Sequence, residues 1–302
     1  MTDIHVCTFS GLGSLPLLAA AHQGFFNAHG IRVDLERAMS SGQLMSGLVD
    51  GVYEIVHAAP DNIIAWSDRT GRDLRAWIGG SAGPLALVAR PEVRDISQLR
   101  GRKIAVDAAN SGFAGVLREI LLAEGLGTGE YHVVEVGATG LRYQALSLGE
   151  VDATLLSIPT SFRAEASGLS ILATHDAFLG HYQSFAGSSR GEWLDLEPDI
   201  ADAYLRAIVS TLTWLYDPAN RDAVTRLTVD EFDLTEDEGR RAVEAIIEPS
   251  LGWPPTGLIS LEAMGTVCRI RDGTPNPAAR SPGEYVDLGP SARVHGWSVD
   301  DG

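Results

Sequence analysis

The pattern of apolar and polar residues at positions 40–62 predicts a helix, a buried strand and a second helix, in that order. Residues 48–51 (LVDG) end an amphipathic helix, residues 52–58 are an apolar run of strand length, and residues 60–62 (PDN) begin the next helix. The glycine supplies the left-handed cap that ends a helix, and the proline suits the first turn of the helix that follows. We therefore expect a strand-to-helix corner at this point.

The same pattern occurs a second time, later in the chain. Residues 146–149 (LSLG) end a helix, residues 151–156 form the apolar run, and residues 159–161 (PTS) begin the following helix. The match extends upstream, because the strand, glycine- and serine-containing loop, helix and strand of residues 4–35 parallel those of residues 103–136. Two copies of this order predict an α/β protein with two small lobes, each built on a parallel sheet.

The loops that follow the strands are expected to lie at one edge of each sheet, because helical crossovers are right-handed. Open α/β sheets bind ligands at this edge. The ligand site is therefore expected in a cleft between the two lobes.

The chain is expected to pass between the lobes twice. Glycines and a proline at residues 79–84 allow it to leave the first lobe, and residues 174–189 should cross back. We assign residues 1–87 and 185–302 to the first lobe and residues 88–184 to the second.

After Pro198 the apolar residues recur at helical spacing, and Asp217 with Pro218 ends that helix. Thr235 followed by Glu238 is a capping signal for a later helix. Further helices that would pack on the first lobe are expected at residues 220–227, 235–247 and 258–272. Residues 275–302 are rich in proline, glycine and serine and are expected to form a wrapped or loose tail.

Composition narrows the functional classes. The chain has 302 residues, of which 45% are hydrophobic and 21% charged, which is enough apolar material for two cores and argues against disorder. The formal net charge of -17 argues against a nucleic-acid or anionic-membrane partner. Cys7 and Cys268 are predicted to be buried apolar residues rather than a disulfide or a nucleophile. No metal-ligand spacing or nucleotide motif occurs, so neither a metal nor a cofactor is expected.

The first residues lead directly into a strand and show no basic start, apolar core or cleavage site of a secretory signal. No apolar run reaches membrane-spanning length, so no membrane insertion is expected. The chain as it stands is expected to be cytoplasmic. The alternative is that an export signal was removed and a start methionine added, which would place the protein in the periplasm or another extracytoplasmic compartment.

Four segments resemble the type II periplasmic-binding-protein superfamily. They are residues 15–26 (LPLLAAAHQGFF), 30–35 (GIRVDL), 99–106 (LRGRKIAV) and 148–153 (LGEVDA). Within the superfamily they are similar to the thiamine-pyrimidine, sulfonate, taurine and nitrate substrate-binding group of ABC importers. The resemblance spans roughly residues 4–290 and is specific for the fold, not for the ligand.

The resemblance implies two lobes, joined by two crossover segments, that close on a small molecule, with an ABC permease as the partner if the chain is exported. The superfamily also contains cytosolic enzymes: decarboxylases of aromatic acids, menaquinone-pathway lyases, a desulfinase of aromatic sulfinates and the eukaryotic pyrimidine-forming thiamine enzyme. The desulfinase cysteine is missing from residues 10–15, and the cysteine-rich metal motif of the pyrimidine-forming enzyme is absent. Neither of those two chemistries is expected here.

Loops of the first lobe supply candidate ligand contacts. Ser10, Gly11 and Ser14 offer backbone N–H groups and hydroxyls at a helix start, which suits a carboxylate, sulfonate or phosphate, although a glycine-rich turn needed for packing has the same composition. Ser41 and Gln43 repeat this chemistry after the second strand, or serve as a plain helix cap.

The equivalent residues of the second lobe are Asn110, Ser111 and Thr139, with Tyr143 one turn into its helix. Donors in both lobes are what a clamp requires, since contacts in each lobe stabilise the closed form. Ser157 ends the repeated strand of the second lobe. Tyr182 lies in the return crossover, near the expected floor of the cleft.

His57 ends a predicted buried strand, four residues before Asp61. An imidazole beside a carboxylate could bind an anion or shuttle a proton, although a strand histidine is more often structural, and Asp61 could simply cap its helix. Trp66 and Trp77 are predicted to be core residues.

Two functional hypotheses follow, and we prefer the first. The chain binds a small anionic or heteroaromatic metabolite as a substrate-binding protein of an ABC transporter. The alternative is a cytosolic decarboxylase or lyase on the same scaffold, with His57 as the acid or base and the serine loops holding the substrate anion. A ligand-sensing regulator without transport or catalysis is a third interpretation.

Overall fold

The computed structural model describes residues 1–81, 83, 85–109, 111–174, 176–248, 251–272 and 281–298. Its chain divides into two compact units. Unit 1 comprises Met1–Ala82, Gln183–Cys268 and Ala279–Gly302, and unit 2 comprises Gly83–Tyr182 and Arg269–Ala278.

The described residues form ten strands and fourteen α-helices. The strands are β1 (Thr2–Thr8), β2 (Ile31–Arg37), β3 (Ile55–Ala58), β4 (Leu74–Gly79), β5 (Leu85–Ala89), β6 (Lys103–Val106), β7 (His132–Glu135), β8 (Ala153–Ser157), β9 (Ser170–Thr174) and β10 (Ala186–Arg190). The helices are α1 (Leu15–Gln23), α2 (Phe25–Ala28), α3 (Ser41–Val49), α4 (Asp61–Thr70), α5 (Gly112–Ala123), α6 (Thr139–Ser147), α7 (Thr160–Ala166), α8 (Asp176–Leu179), α9 (Gly191–Leu196), α10 (Pro198–Tyr216), α11 (Arg221–Phe232), α12 (Glu236–Ile247), α13 (Leu261–Asp272) and α14 (Gly289–His295).

The two sheets have the same topology. The order in unit 1 is β2-β1-β3-β10-β4, and the order in unit 2 is β7-β6-β8-β5-β9. In each sheet the three strands of the repeat are parallel, and one further strand runs antiparallel between the third strand and the edge strand. The predicted duplication is therefore confirmed, but the expectation of purely parallel sheets is wrong. The antiparallel strands are β5, which begins unit 2, and β10, which follows the return of the chain to unit 1.

The sheet of unit 1 separates two apolar cores. Successive residues of a strand face opposite sides. Val6 and Ile55 pack in the core that contains α1 and α10, whereas Cys7 and Val56 pack in the core that contains α3. Cys7 and Cys268 are both buried and neither forms a disulfide.

The two helices that the sequence predicted to end at a glycine are each followed by that glycine in the structure. Gly51 and Gly149 adopt positive φ angles of 80° and 74°, in the left-handed region that ends a helix. The prediction of a strand over residues 52–58 is wrong for the first three residues, because β3 begins at Ile55. The N–H groups of Val52 and Tyr53 instead donate to the carbonyl of Gly47. Thr235 and Glu238 form the predicted capping box of α12.

The expected tail is wrapped rather than loose where it is described. Within residues 281–298, Val286 bridges to Ala76 of β4, and Arg293 of α14 pairs with Asp202 of α10 at 2.9 Å. Among the described helices, none has the length and apolar character that crossing a membrane requires.

Candidate functional site

The loops that follow β1, β2 and β3 lie at the same edge of the sheet in unit 1, because these three strands are parallel. Strand β10 begins and β4 ends at the same edge, since Ala186 is paired with both Ala58 and Gly79. We call this the carboxyl edge of unit 1. The predicted site residues of the first lobe therefore lie at one edge of one sheet: Ser10 to Ser14 and Ser41 follow strands, and His57 is near the end of β3.

The loop after β1 is held by hydrogen bonds and by a close aromatic contact. The Ser14 hydroxyl donates to the Gly11 carbonyl at 2.7 Å, so its proton is committed to the loop, and Ser14 is almost fully buried. The indole N–H of Trp253 donates to the Gly13 carbonyl at 3.1 Å, and the Phe185 ring lies so close that a Cβ on Gly13 would be 3.3 Å from it. Ser10 is exposed at the start of this loop.

The loop after β2 begins α3 with a side-chain cap. The Ser40 hydroxyl accepts from the Gln43 N–H at 3.2 Å. The Gln43 side chain accepts from the Met39 N–H at 3.0 Å and donates to Glu36 at 2.9 Å. Gln43 thus has a capping role in this structure, whereas the neighbouring Ser41 is exposed.

His57 is fully buried in an aromatic cluster formed by the rings of Phe185, Tyr204 and Trp253, whose centroids lie 5.7 to 6.0 Å from the imidazole. Its Nε2 lies 2.9 Å from the Tyr204 hydroxyl, and its Nδ1 has no partner among the described residues. Burial lowers the pKa of His57 to about 3, so the ring is neutral near pH 7.

The phenol of Tyr204, rather than the carboxylate of Asp61, is the hydrogen-bond partner of the imidazole. Asp61 is itself buried, at the first position of α4. The aromatic cluster joins residues from three distant parts of the chain, and no local pattern in the sequence pointed to Phe185, Tyr204 or Trp253.

The carboxyl edge of unit 2 is built in the same way from the loops after β6, β7 and β8. Ser111 caps α5, since its hydroxyl accepts from the Ala114 N–H at 3.0 Å and donates to Asp107 at 2.5 Å. Asn110 lies outside the described residues. Ser157 is the half-buried last residue of β8 and pairs with Leu85 of β5.

Arg142, which the sequence did not single out, is buried at this edge with an exposed fraction of only 3%. Its guanidinium donates to the carbonyls of Gly137 and Leu155, at 2.5 and 3.2 Å, and to the Thr139 hydroxyl at 3.2 Å. Burial lowers the pKa of Arg142, and the negative charge of Asp107 opposes that effect. Arg142 is the fourth residue of α6, in a first turn that also contains threonine and glycine. An arginine in such a turn is usually exposed, so the sequence pattern did not predict its burial.

Two other predicted contacts are oriented by packing. The Tyr143 hydroxyl lies 3.3 Å from the hydroxyl of Ser167, which follows α7. Tyr182 is buried, with an exposed fraction of 3%.

Trp77 is a core residue whose N–H donates to Ser189, and the half-buried Trp66 carries the guanidinium of Arg69 over its ring at 3.6 Å. No group of three or more His, Cys, Asp or Glu residues that could hold a metal occurs in the described ranges.

The sequence model of the NMT1-like family matches residues 1–229. No curated protein matches the chain. A solved structure from Bordetella bronchiseptica RB50 is similar over 98% of both chains, with a TM-score of 0.80 and 21% identity.

Two further solved structures carry informative names. The ligand-binding component of an ABC-type import system from Staphylococcus aureus, with zinc bound, has a TM-score of 0.80 and 13% identity over 97% of this chain and 99% of that one. The periplasmic aliphatic sulphonate binding protein SsuA from Escherichia coli has a TM-score of 0.75 and 15% identity over 95% and 97%. These likenesses confirm the predicted periplasmic-binding-protein fold.

Proposed function

Because the chain belongs to the NMT1-like family, we propose that it binds a small anionic or heteroaromatic metabolite, as the substrate-binding component of an ABC-type import system. The proposal includes an ABC permease as the partner and an extracytoplasmic site of action. The Staphylococcus aureus protein of the same fold is named as the ligand-binding component of such a system, and the Escherichia coli protein is named as a periplasmic sulphonate-binding protein.

The observation that carries the proposal is the duplicated carboxyl edge. Both sheets have the same strand order, and in both the loop after the second strand of the repeat starts a helix with a hydroxyl residue followed by glycine: Ser41 and Gly42 in α3, Thr139 and Gly140 in α6. Backbone N–H groups at such helix starts, together with a hydroxyl, are suited to an anionic group. A scaffold with hydroxyl groups at both edges is organised for recognition.

Native mass spectrometry of the purified full chain tests the proposal by searching for a co-purifying small molecule. Thermal-shift and calorimetric titrations with carboxylates, sulfonates, nitrate and heteroaromatic metabolites would follow. We expect at least one compound to bind, to raise the melting temperature by mass action and to be recovered unchanged. A chain that carries no small molecule and responds to none of the compounds would contradict the proposal.

The enzyme alternative makes a different demand on His57. As an acid or base the imidazole must reach a substrate proton, yet here it is fully buried and neutral. The replacement His57→Gln should therefore lower ligand affinity only modestly. Loss of turnover of a bound compound in that variant, with binding retained, would favour the enzyme.

A further inference from the structure

Arg142 carries a buried positive charge at the carboxyl edge of unit 2. Buried arginines are normally paired with carboxylates, because removing a charge from water is costly. Within the described part of the chain, however, no carboxylate lies at ion-pair distance from Arg142. Its hydrogen bonds go instead to two backbone carbonyls and to the Thr139 hydroxyl. The hydrogen-bond partners of Arg142 therefore do not neutralise its charge, and the carboxylate of Asp107 acts on it from beyond ion-pair distance while accepting from Ser111.

The equivalent position in the duplicated half of the chain carries no charge. Helices α3 and α6 are both nine residues long and begin alike, with Ser41 and Gly42 in one and Thr139 and Gly140 in the other. The fourth residue of α6 is Arg142, and the fourth residue of α3 is Leu44. Leu44 is fully buried in the apolar core of unit 1. One scaffold position thus accepts either a leucine or a charged group.

The arginine also determines what the Thr139 hydroxyl can do. Because Thr139 Oγ1 accepts a hydrogen bond from Arg142, its own proton is directed away from the guanidinium and is available for donation. Arg142 also engages the carbonyl of Gly137, an oxygen that would otherwise repel an anion. Ser111 differs, since its proton is committed to Asp107. Thr139 is therefore a polarised donor at this edge.

We infer that Arg142 is a specificity-determining positioning residue, which fixes Thr139 as a donor and supplies positive charge so that unit 2 binds an oxyanion group, a carboxylate or sulfonate, of the ligand. The inference rests on the proposed function and narrows its ligand class. The buried guanidinium also places a local positive charge in a chain whose formal net charge of -17 opposes the binding of an anion.

The test uses pairs of probes that differ in charge and little in shape: nicotinate with nicotinamide, benzoate with benzamide, and ethanesulfonate with ethanesulfonamide. Each is titrated calorimetrically into the full-length protein. We expect the wild type to prefer the anionic member of at least one pair. The substitution Arg142→Leu, which copies the residue of unit 1, should weaken binding of that anion at least about tenfold, or about 1.4 kcal/mol. Arg142→Lys should retain most of the preference.

Arg190 provides the matched control. It donates to the carbonyls of Leu48 and Tyr53, at 2.6 and 2.9 Å, and lies at the end of β10 remote from the carboxyl edge of unit 1. The variant Arg190→Lys should leave the preference for the anion unchanged. If Arg142→Leu does not fold, Thr139→Val tests the same donor and should weaken binding of the anion while hardly affecting that of the amide.

The outcomes separate the inference from the proposed function. A wild type that binds both members of every pair equally, or binds only amides, overturns the inference and leaves the proposed function standing. Unchanged preference in Arg142→Leu or Thr139→Val has the same meaning. A wild type that binds none of the probes also overturns the oxyanion assignment, and the co-purifying molecule then decides the proposed function alone.

Discussion

Removing the buried imidazole of His57 should change how stability depends on pH. The pKa of His57 is lowered from 6.5 to about 3 by burial. Between these two pH values the unfolded chain binds a proton at His57 that the folded chain does not. The free energy of unfolding is therefore not reduced by this group above pH 6.5, and it decreases as the pH falls from 6.5 toward 3. The slope is about 1.4 kcal/mol per pH unit, which amounts to about 2 kcal/mol between pH 6.5 and pH 5.

The assay can be confined to the unit that contains His57. All six tryptophans of the chain lie in the segments of unit 1, so urea unfolding followed by tryptophan fluorescence reports on that unit. The free energy of unfolding is measured at pH 7 and pH 5 for the wild type and for His57→Gln. The wild type should lose about 2 kcal/mol more than the variant over this interval.

Comparing two slopes cancels the other titrating groups, and a second variant controls for packing. Tyr204→Phe removes the 2.9 Å hydrogen bond but leaves a titratable imidazole in the aromatic cluster. It should reduce stability at every pH by about 1 kcal/mol and keep the slope of the wild type. Parallel curves for the wild type and His57→Gln would refute the reasoning, because they would mean that the folded protein protonates His57 as readily as the unfolded chain.

Three further predictions concern packing and caps, each checked by urea unfolding. Gly79→Ala should lower the free energy of unfolding by about 3 kcal/mol, because the new Cβ would lie 2.2 Å from the backbone oxygen of Leu258. Gly265→Ala in α13 is the control and should be neutral or stabilising, because its Cβ would meet nothing within 4 Å; equal effects of the two variants would contradict the prediction. Trp253→Phe should cost about 1 kcal/mol and weaken ligand binding, since it releases the Gly13 carbonyl at 3.1 Å; unchanged affinity would argue against a role of that loop. Thr235→Ala should cost about 1 kcal/mol by removing the capping box of α12, with Thr235→Ser as the control that keeps it.

The parts of the fold that the sequence predicted are those encoded by local signals. Glycines at residues 51 and 149 mark helix ends, and a proline marks the start of each helix that follows, so the duplication can be predicted from the sequence. The two passages of the chain between the lobes were predicted near β5 and β10, but the antiparallel insertion of these strands was not. Which strands pair depends on contacts between distant segments, and an apolar run carries no record of its neighbours.

In the candidate site, too, the residues that follow a local sequence pattern could be predicted, and those brought together only by the fold could not. Loop residues such as Ser10 and Ser41 could be proposed because small polar residues after strands are a local pattern. The aromatic cluster around His57 could not, because Phe185 and Trp253 reach it only through the fold. The burial of the imidazole also changes its chemistry, since a neutral ring bonded to Tyr204 is a packing group before it is an acid or base.

The comparison of α3 with α6 separates the residues that build the scaffold from those that give it chemistry. Leu48 and Leu146 occupy the same position in the two helices, both are buried, and each helix is followed by a left-handed glycine. These shared positions maintain the fold in both units. Where the two copies differ in a buried position, as at Leu44 and Arg142, packing alone does not dictate the residue. The charge of Arg142 has no carboxylate at ion-pair distance in the described chain, although Asp107 acts on it from further away. The inferred recognition of an oxyanion by unit 2 accounts for a charge at this position.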